Sequence, residues 1–407
     1  MTQLIDFNDD NANTSPNPEF EQILQARLSR RGLLRGGVGA ASTGVLGALA
    51  LAGCGGSDSP APAPAPAPAP SAPPAAEKLL GYAPVPKNLL DVVTVPVGYT
   101  ASVLYALGDP LNAATAAYVN DGTDTGFENR AGDHHDGMEW FGLGADSKPS
   151  TTAANRGLLG VNHEATTDEA LSSFFIHANG GTSSLPRPAA EVDKEVAIHG
   201  ISVVEVKKDA SGKWVYQKDS AFNRRLTALS EVDIAGPARG NALLKTKYSI
   251  AGTQTRGTSN NCGTGKTPWN SFLTGEENWF GYFTRSATDD TTRGATSKAV
   301  TSLKRYGRAL PVVSGVVGPV ASRHGWETGG ADDQYARWNV SQTGVSTDGT
   351  DDYRNEMNSF GYIVEIDPYD KTKLAKKRSA LGRFAHESAA FGTPVAGQPL
   401  AEYMGDD

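Results

Sequence analysis

The stretch ISVVEVKKDASGKWVY, residues 201–216, places two short apolar runs on either side of a polar turn. Residues 201–206 are rich in β-branched side chains, residues 207–212 are charged or small, and residues 213–216 return to aromatic and apolar types. This pattern is typical of a β-hairpin. Similar apolar runs occur at 157–161 and at 361–366, and the second is followed by a turn at 367–370.

These runs predict an all-β fold. Strand–loop–strand units of the β-propeller type fit them better than alternating βαβ units. The long polar segments 284–298 and 339–358 are expected to be loop insertions on the surface.

The N-terminal region has the form of an export signal. Residues 29–35 (SRRGLLR) match the twin-arginine export pattern at Arg30 and Arg31, and residues 36–53 carry no charge. The segment 51–54 (LAGC) resembles a lipobox, so we expect cleavage before Cys54 and lipid attachment to that residue. The alternative is an uncleaved membrane anchor, which the high glycine content of 36–53 disfavours.

The predicted organisation is therefore a leader at 1–53, a lipidated linker at 54–80 and a single domain at 81–407. The Pro/Ala-rich run 60–74 cannot form a core and favours an extended polyproline conformation. The net charge of −8 disfavours a nucleic-acid partner, because such partners select basic surfaces. We expect a monomer.

Cys262 is the most informative single residue of the predicted domain. The chain has two cysteines, and the role expected for Cys54 leaves Cys262 without a disulfide partner. Cys262 lies in the polar, glycine-rich segment 257–269, shortly before Glu276 and Glu277. A lone thiol in this setting is a candidate metal ligand or nucleophile. The alternative is a small buried apolar side chain, which is the usual environment of a free cysteine.

Four predicted strands end in acidic residues, at 157–164, 270–277, 380–387 and 401–407. If they are the inner strands of successive propeller blades, their acidic ends meet in one channel. Converging carboxylates repel one another and need cations, and such oxygen-rich sites suit calcium, while a nearby thiolate suits iron or zinc. Any one of these ends taken alone fits an ordinary solvated turn better, and it is the set of four beside a lone cysteine that favours metal ions. The acidic residues concerned are Glu164, Glu276, Glu277, Glu387, Asp406 and Asp407.

Other motifs carry less information. The segment 134–140 (HHDGMEW) is the densest polar cluster, and it fits a loop with an aromatic anchor as well as it fits a site. Residues 263–267 resemble half of a P-loop, but Asn260 occupies the position of the first glycine. No G-x-S-x-G nucleophile motif is present in the sequence.

Eight short motifs, in this order, resemble the PhoX family of secreted alkaline phosphatases from about residue 81 to the end of the chain. The resemblance implies a β-propeller with a central cluster of two ferric ions and calcium ions that hydrolyses phosphate monoesters. The motifs are DGM at 136–138, NHE at 162–164, NNCGTGKTPW at 260–269, TGEEN at 274–278, RHGW at 323–326, EIDP at 365–368, GRFAHE at 382–387 and YMGDD at 403–407.

The resemblance also implies roles for individual residues. Cys262 would be the thiolate ligand of iron. Arg383 would bind the substrate phosphate, because guanidinium donors match phosphate oxygens. His386 would orient a ligand or donate a proton to the leaving alkoxide. The carboxylate ligands would be Glu164, Glu276 or Glu277, and Glu387, with Asp406 and Asp407 joining them.

The resemblance has one departure, because family members continue past the segment that matches 403–407. We therefore expect the propeller to be incomplete in this chain. The expected function is an exported, metal-dependent alkaline phosphatase of the periplasm or the cell surface, with small phosphate esters as substrates. Its other expected partners are the twin-arginine export machinery and the membrane, reached through a lipid anchor at Cys54. The alternatives are an inactive fragment of the phosphatase and a non-enzymatic, calcium-stabilised propeller lipoprotein with a binding role.

Overall fold

The hairpin predicted at 201–216 is present in the computed structural model as strands β3 (Gly200–Lys208) and β4 (Trp214–Tyr216). Its turn is closed by the carboxylate of Asp209, which accepts hydrogen bonds from the backbone amides of Ser211 (2.8 Å) and Lys213 (3.0 Å). Gly212 takes a φ of +83°, a left-handed conformation that glycine adopts without steric cost. The local sequence is therefore sufficient to explain this hairpin.

The structure describes residues 81–166 and 176–407. The predicted leader, Cys54 and the linker lie outside the described residues, so their predictions are not addressed by the fold. Residues 83–407 form one compact unit. No helix within the described ranges is both long enough and apolar enough to cross a membrane.

The described part of the chain consists mostly of short strands, with few helices. The strands are β1 (His135–Gly142), β2 (Arg156–His163), β3, β4, β5 (Arg224–Leu226), β6 (Glu231–Ala235), β7 (Gln254–Arg256), β8 (Asn261–Lys266), β9 (Phe272–Glu276), β10 (Val312–Val313), β11 (Val316–Val317), β12 (Ile363–Ile366), β13 (Ala375–Arg378), β14 (His386–Phe391) and β15 (Glu402–Asp406). The α-helices are α1 (Ala189–Ile198), α2 (Asp289–Arg293), α3 (Lys298–Arg305) and α4 (Asp333–Ala336).

The first large sheet has the order β1-β2-β3-β4, and all of its pairs are antiparallel. The short strand β5 pairs with the first half of β3. Strand β3 is buried on both faces, because Ile201 and Val203 pack into one hydrophobic cluster while Val204 and Val206 pack into another. Because successive side chains of a strand point to opposite faces, β3 contributes to two hydrophobic cores at once.

The second large sheet has the order β7-β6-β13-β12-β9-β8, in which only the β6–β13 pair is parallel. A separate two-stranded hairpin, β14–β15, packs against β8 and β9 without joining their hydrogen-bonded ladder. The first sheet meets this region where β1 passes β8. The functional side chains described below lie at this junction.

The largest core is built from segments with little regular structure around Trp279, Trp326 and Trp338. Two fully buried arginines stabilise it through ion pairs, Arg285 with Asp289 (2.7 Å) and Arg337 with Glu356 (2.6 Å). Such pairs allow polar segments to be buried, since each charge keeps a hydrogen-bonded partner. The expectation that the segments 284–298 and 339–358 are surface insertions is therefore wrong in part. Asp289 of the first segment is buried, and so are Tyr353 and Met357 of the second.

The predicted all-β character is supported in its coarse form, since strands dominate the described residues and pair into four sheets. Neither large sheet closes on itself within the described ranges. The four-stranded antiparallel order β1-β2-β3-β4 has the arrangement of a propeller blade, whereas the six-stranded sheet contains a parallel pair.

Candidate metal centre

Six potential metal ligands converge in two groups of three. In each group, the ligand atoms lie within 4.8 Å of one another. Glu277 joins the groups, because its carboxyl hydrogen-bonds with the thiol of Cys262 and with the carboxyl of Glu164. The first group contains Asp136, Glu164 and Cys262, and the second contains Glu277, Glu387 and Asp407. The result is one continuous cluster of five carboxyl groups and one thiol.

Three glycines allow β14 to approach β8 and β9 closely enough to bring Glu387 to this cluster. A Cβ atom added at Gly263 would lie 2.2 Å from the carbonyl oxygen of Glu387, and one at Gly275 would lie 2.3 Å from that of His386. At Gly265 the distance to the carbonyl oxygen of Ala389 would be 1.5 Å. No side chain fits at these positions, so glycine is required for the close approach of the two backbones.

A fourth glycine brings Asp136 to the cluster from the other side. Gly137 lies where β1 crosses β8, and an added Cβ would meet the side chain of Thr264 at 2.5 Å and the carbonyl oxygen of Cys262 at 2.8 Å. The pairing of β8 with β9 is irregular between Asn261 and Thr264. Such an irregularity re-aims side chains, and Cys262 is within it.

Asn260 links the ligand-bearing segments and has a φ of +52°, in the left-handed region where asparagine is one of the tolerated residues. Its Nδ2 donates to Oε1 of Glu164 (3.2 Å), and its Oδ1 accepts from the backbone amide of Asn278 (2.6 Å). Asn278 in turn donates through Nδ2 to Asp407 (3.2 Å). These bonds position one carboxyl of each group.

The electrostatics of the cluster favour protons or cations at these sites. The pKa of Glu277 is raised to about 7, chiefly by burial and also by the charges of Glu164, Asp407 and Glu387, against the lowering effect of the hydrogen bond with Cys262. Burial, followed by the neighbouring Asp136, raises the pKa of Glu164. The pKa of the Cys262 thiol is raised by burial and by its contacts with Asp136 and Glu277. Bound cations would reverse this preference, because they stabilise the ionised forms.

The donor set therefore fits metal ions on its own chemistry. Five carboxyl groups provide the oxygen ligands that hard cations such as calcium prefer. A thiolate adds a soft ligand of the kind that iron and zinc accept. Glu277 contacts both Cys262 and Glu164, so ions bound at these three side chains would share ligands.

Two of the sequence-predicted ligands lie elsewhere. The carboxylate of Glu276 is fully buried, pairs with Nζ of Lys377 (2.7 Å) and accepts from the backbone amides of Gly361 (2.9 Å) and Tyr362 (3.1 Å). Asp406 accepts a hydrogen bond from the backbone amide of Ala385 (3.1 Å). The structure thus brings Glu277 and Asp407 into the cluster, while Glu276 and Asp406 stabilise the strands around it.

The guanidinium of Arg383, predicted to bind phosphate, is used within the fold. Nε donates to the carbonyl oxygen of Phe360 (2.8 Å) and Nη2 to that of Met357 (2.7 Å). The rings of Trp279 and Tyr306 lie 4.3 Å and 4.1 Å from its central carbon. Two donors of the group are occupied and two aromatic rings pack against it, so the structure places Arg383 in structural contacts, and phosphate binding by Arg383 stays a prediction.

His386 is fully buried in β14, and burial lowers its pKa to about 4. Its ring stacks on Phe384 with 3.6 Å between the centroids, and its Nε2 lies 3.5 Å from the carbonyl oxygen of Gly382. A lowered pKa disfavours the protonated imidazole that proton donation to a leaving group needs. His386 directly precedes Glu387 of the cluster and its buried Nδ1 has no hydrogen-bond partner within the described residues, so its predicted role in orienting a ligand stays a prediction.

Sequence reasoning missed Asp136 and Asn260 as parts of the site. The available signals were the dense polar cluster at 134–140 and the paired asparagines directly before Cys262. It also missed Arg323, an exposed residue whose positive charge lowers the pKa of Glu164.

Comparisons with known proteins identify the family of the chain. The family model for Alkaline phosphatase PhoX matches residues 80–407. The solved structure of Pseudomonas fluorescens PhoX in complex with vanadate, a transition state analogue, is similar, with a TM-score of 0.63 and 34% sequence identity. The similarity covers 80% of this chain and 48% of that one, so this chain spans about half the length of that relative. No curated protein sequence matches the chain. On the family match and the structural likeness together, the chain belongs to the PhoX family of alkaline phosphatases.

Proposed function

We propose that this chain carries the metal centre of an alkaline phosphatase that hydrolyses phosphate monoesters. The observation that carries the proposal is the convergence of five carboxyl groups and one thiol from separate segments on one cluster. Family membership and the relative solved with vanadate support it. A structural role alone does not explain so many acidic groups in contact, since their repulsion destabilises the fold unless cations are bound.

We propose Fe³⁺ and Ca²⁺ as the ions. The Cys262 thiolate and the neighbouring Glu277 would hold iron, and the remaining carboxylates would hold calcium. When bound, such ions stabilise the negative charge that develops on the phosphoryl oxygens. Asn260 contributes by holding Glu164 and the Asn278 segment in place (3.2 Å and 2.6 Å).

Arg323 is the candidate for binding the substrate phosphate. Its side chain is exposed, lies beside Gly281 and acts electrostatically on Glu164. Its position is set by the backbone, because the Arg323 amide donates to the carbonyl oxygen of Gly281 (2.8 Å). A guanidinium in this place could donate to two phosphate oxygens at the edge of the cluster.

The decisive experiment measures iron content, visible absorption and hydrolysis of a chromogenic phosphate monoester on the same preparations. Cys262→Ser should remove the iron-thiolate absorption and most of the activity. Cys54→Ser, at a cysteine remote in sequence from the cluster, serves as the control and should leave both unchanged. Iron-free protein that hydrolyses the ester at the original rate would refute the iron assignment. Protein that calcium stabilises but that shows no turnover would favour the alternative binding role.

The finer architecture remains a proposal. The order β1-β2-β3-β4 supports a propeller blade, and the convergence of acidic strand ends supports a central channel. We propose that the chain forms part of a propeller domain over residues 81–407 and acts as a monomer. A solved structure with metals bound would test the blade arrangement.

We also propose export by the twin-arginine route and a lipid anchor at Cys54, which would place the protein in the periplasm or at the cell surface. The support is the sequence of residues 29–54. Cys54→Ala should release the protein from the membrane fraction, and Arg30→Lys with Arg31→Lys should retain the precursor in the cytoplasm. Membrane association that survives Cys54→Ala would instead identify residues 36–53 as an uncleaved anchor.

A further inference from the structure

The connection between α3 and Trp326 carries a small apolar hairpin that projects from the surface. Strands β10 and β11 pair Val312 with Val317 and Val313 with Val316, and they pair with no other strand of the described chain. All four valines are exposed, at 64%, 71%, 69% and 45% in the order 312, 313, 316 and 317. Because neighbouring residues point to opposite faces, both faces of this valine hairpin (residues 311–318) face outward.

The valine hairpin is not a loosely held loop. Its tip residues Ser314 and Gly315 both have positive φ (51° and 79°), as in the two-residue turns that favour tight hairpins. Its base is closed by a hydrogen bond from the Gly318 amide to the carbonyl oxygen of Pro311 (2.8 Å). Exposed apolar residues on a firmly held projection indicate a contact surface more strongly than scattered exposed valines do.

The two chain segments that lead into the hairpin are tied to the protein body. The guanidinium of Arg308, before the hairpin, donates to the carbonyl oxygens of Phe283 (3.1 Å) and Ala321 (3.2 Å). Val320, after the hairpin, exchanges backbone hydrogen bonds with Arg285 (3.0 Å and 2.9 Å). These bonds connect the base of the hairpin to the buried ion pairs of the largest core.

The charge around the hairpin is opposite to that of the chain. The net charge is −8, yet residues 291–326 contain no Asp or Glu. Three of the cations in this segment, Lys298, Lys304 and Arg305, belong to α3 and are exposed, and Lys304 is paired with Asp290 (3.1 Å) just before the segment. The complete set of Lys and Arg in the segment is Arg293, Lys298, Lys304, Arg305, Arg308 and Arg323.

We propose that the valine hairpin inserts among the headgroups of an anionic lipid surface, with Lys298 and Arg305 of α3, which precede it closely in sequence, contacting the lipid phosphates. Exposed apolar side chains in a segment that carries basic residues and no acidic ones are the features of a protein that binds a membrane interface. A lipid layer covers both faces of the hairpin at once, as the exposure of all four valines requires. A symmetric contact with a second copy would bring two basic segments together and is disfavoured by their repulsion.

The test uses the full chain carrying Cys54→Ala, so that no lipid anchor contributes. Cosedimentation is measured with vesicles of phosphatidylglycerol and phosphatidylcholine, and with vesicles of phosphatidylcholine alone. The chain should bind the anionic vesicles, and binding should weaken with added salt because the cations contribute. Val313→Ser combined with Val316→Ser should lower the partition coefficient by about tenfold or more.

Val345→Ser is the matched control, because Val345 is 96% exposed and lies outside the basic segment. It should leave binding unchanged. The double variant should retain its melting temperature and its phosphatase rate, since neither valine contributes to the core or to the metal cluster. Equal sedimentation of the double variant and the parent, or no sedimentation of either, would overturn the proposal. A parent that dimerises where the double variant does not, without binding vesicles, would assign the surface to a second copy and overturn the lipid assignment.

Discussion

Gly265→Ala should disrupt the metal cluster without touching any of its ligands. The added methyl carbon would lie 1.5 Å from the carbonyl oxygen of Ala389, whereas ordinary contact begins at 3.4 Å. Strand β14 must therefore move by about 2 Å, or the substitution must strain both strands at a cost of roughly 1–3 kcal/mol. Glu387 is two residues from Ala389 on the same strand and moves with it. Because metal sites tolerate displacements of only about 0.5 Å, metal affinity should fall about 10- to 100-fold.

The assay is a calcium and iron titration of purified protein, followed by its melting temperature and phosphatase rate. Gly392→Ala is the control, since a methyl at Gly392 would have 3.7 Å to its nearest neighbour, the carbonyl oxygen of Ala401. Gly265 and Gly392 both have backbone conformations outside the positive-φ region, so the two substitutions differ in packing and not in backbone strain. The control should bind metal as the parent does.

A folded Gly265→Ala protein with unchanged metal affinity would refute the reasoning, because it would show that the position of β14 does not set the cluster. Gly137→Ala offers an independent form of the test at the opposite strand. Its methyl group would meet the Thr264 side chain at 2.5 Å and would displace Asp136. It would also meet the carbonyl oxygen of Cys262 at 2.8 Å, but both distances exceed the 1.5 Å at Gly265, so the loss of affinity should be smaller than at Gly265.

Three further outcomes are expected. Removing metal ions with a chelator should lower the melting temperature and abolish activity, and calcium should restore the melting temperature; unchanged melting would contradict the need for cations. Arg323→Ala should raise KM for the phosphate ester at least about tenfold with little change in stability. Arg383→Ala should instead destabilise the fold by roughly 2–4 kcal/mol, since it removes two hydrogen bonds and two aromatic contacts. The opposite pattern would identify Arg383 as the phosphate ligand. Burial opposes ionisation of Glu195, but its hydrogen bonds with His177, Trp326 and Arg187 hold its pKa at about 2. Because the pKa of Glu195 is lower in the folded chain than in the unfolded chain, ionised Glu195 stabilises the fold above pH 4.5, and this contribution is lost as the pH falls to 2. Glu195→Gln should therefore remove about 3 kcal/mol from the loss of unfolding free energy between pH 4.5 and 2. Parallel pH–stability curves for the variant and the parent would contradict this prediction.

Local sequence was a good guide wherever short-range patterns control structure. The hairpin of β3 and β4 was predictable because its turn is closed by Asp209 within the turn itself. The cluster was partly predictable as well, since Glu164 and Glu387 end predicted strands and Cys262 lies in a polar, glycine-rich segment shortly before Glu277. The motifs also identified the family, because their order is preserved over most of the chain.

Sequence could not separate neighbouring acids from one another. Glu276 and Glu277 are adjacent and chemically identical, and successive residues of a strand point to opposite sides. Which side faces the cluster depends on Lys377, which is 101 residues away and pairs with Glu276. The same holds for Asp406 and Asp407, since only the second reaches Glu277 and Glu387.

The roles of the arginines and histidine were decided by tertiary structure for a similar reason. A guanidinium binds phosphate and backbone carbonyl oxygens by the same geometry, so the residue type of Arg383 does not select between them. The carbonyl groups of Met357 and Phe360 are already beside it in the fold. For His386, burial disfavours the charged form that proton donation needs, a property of the packed environment that the residue type does not specify.

The chain thus encodes strand content, turns, the candidate ligands and the family in patterns of a few residues, since propensity, alternation and turn chemistry act locally. The convergence of the six candidate ligands is a long-range property. It exists because β1 and β14 approach β8 and β9 at glycines that leave no room for a side chain, and only the packed structure shows which backbones meet there.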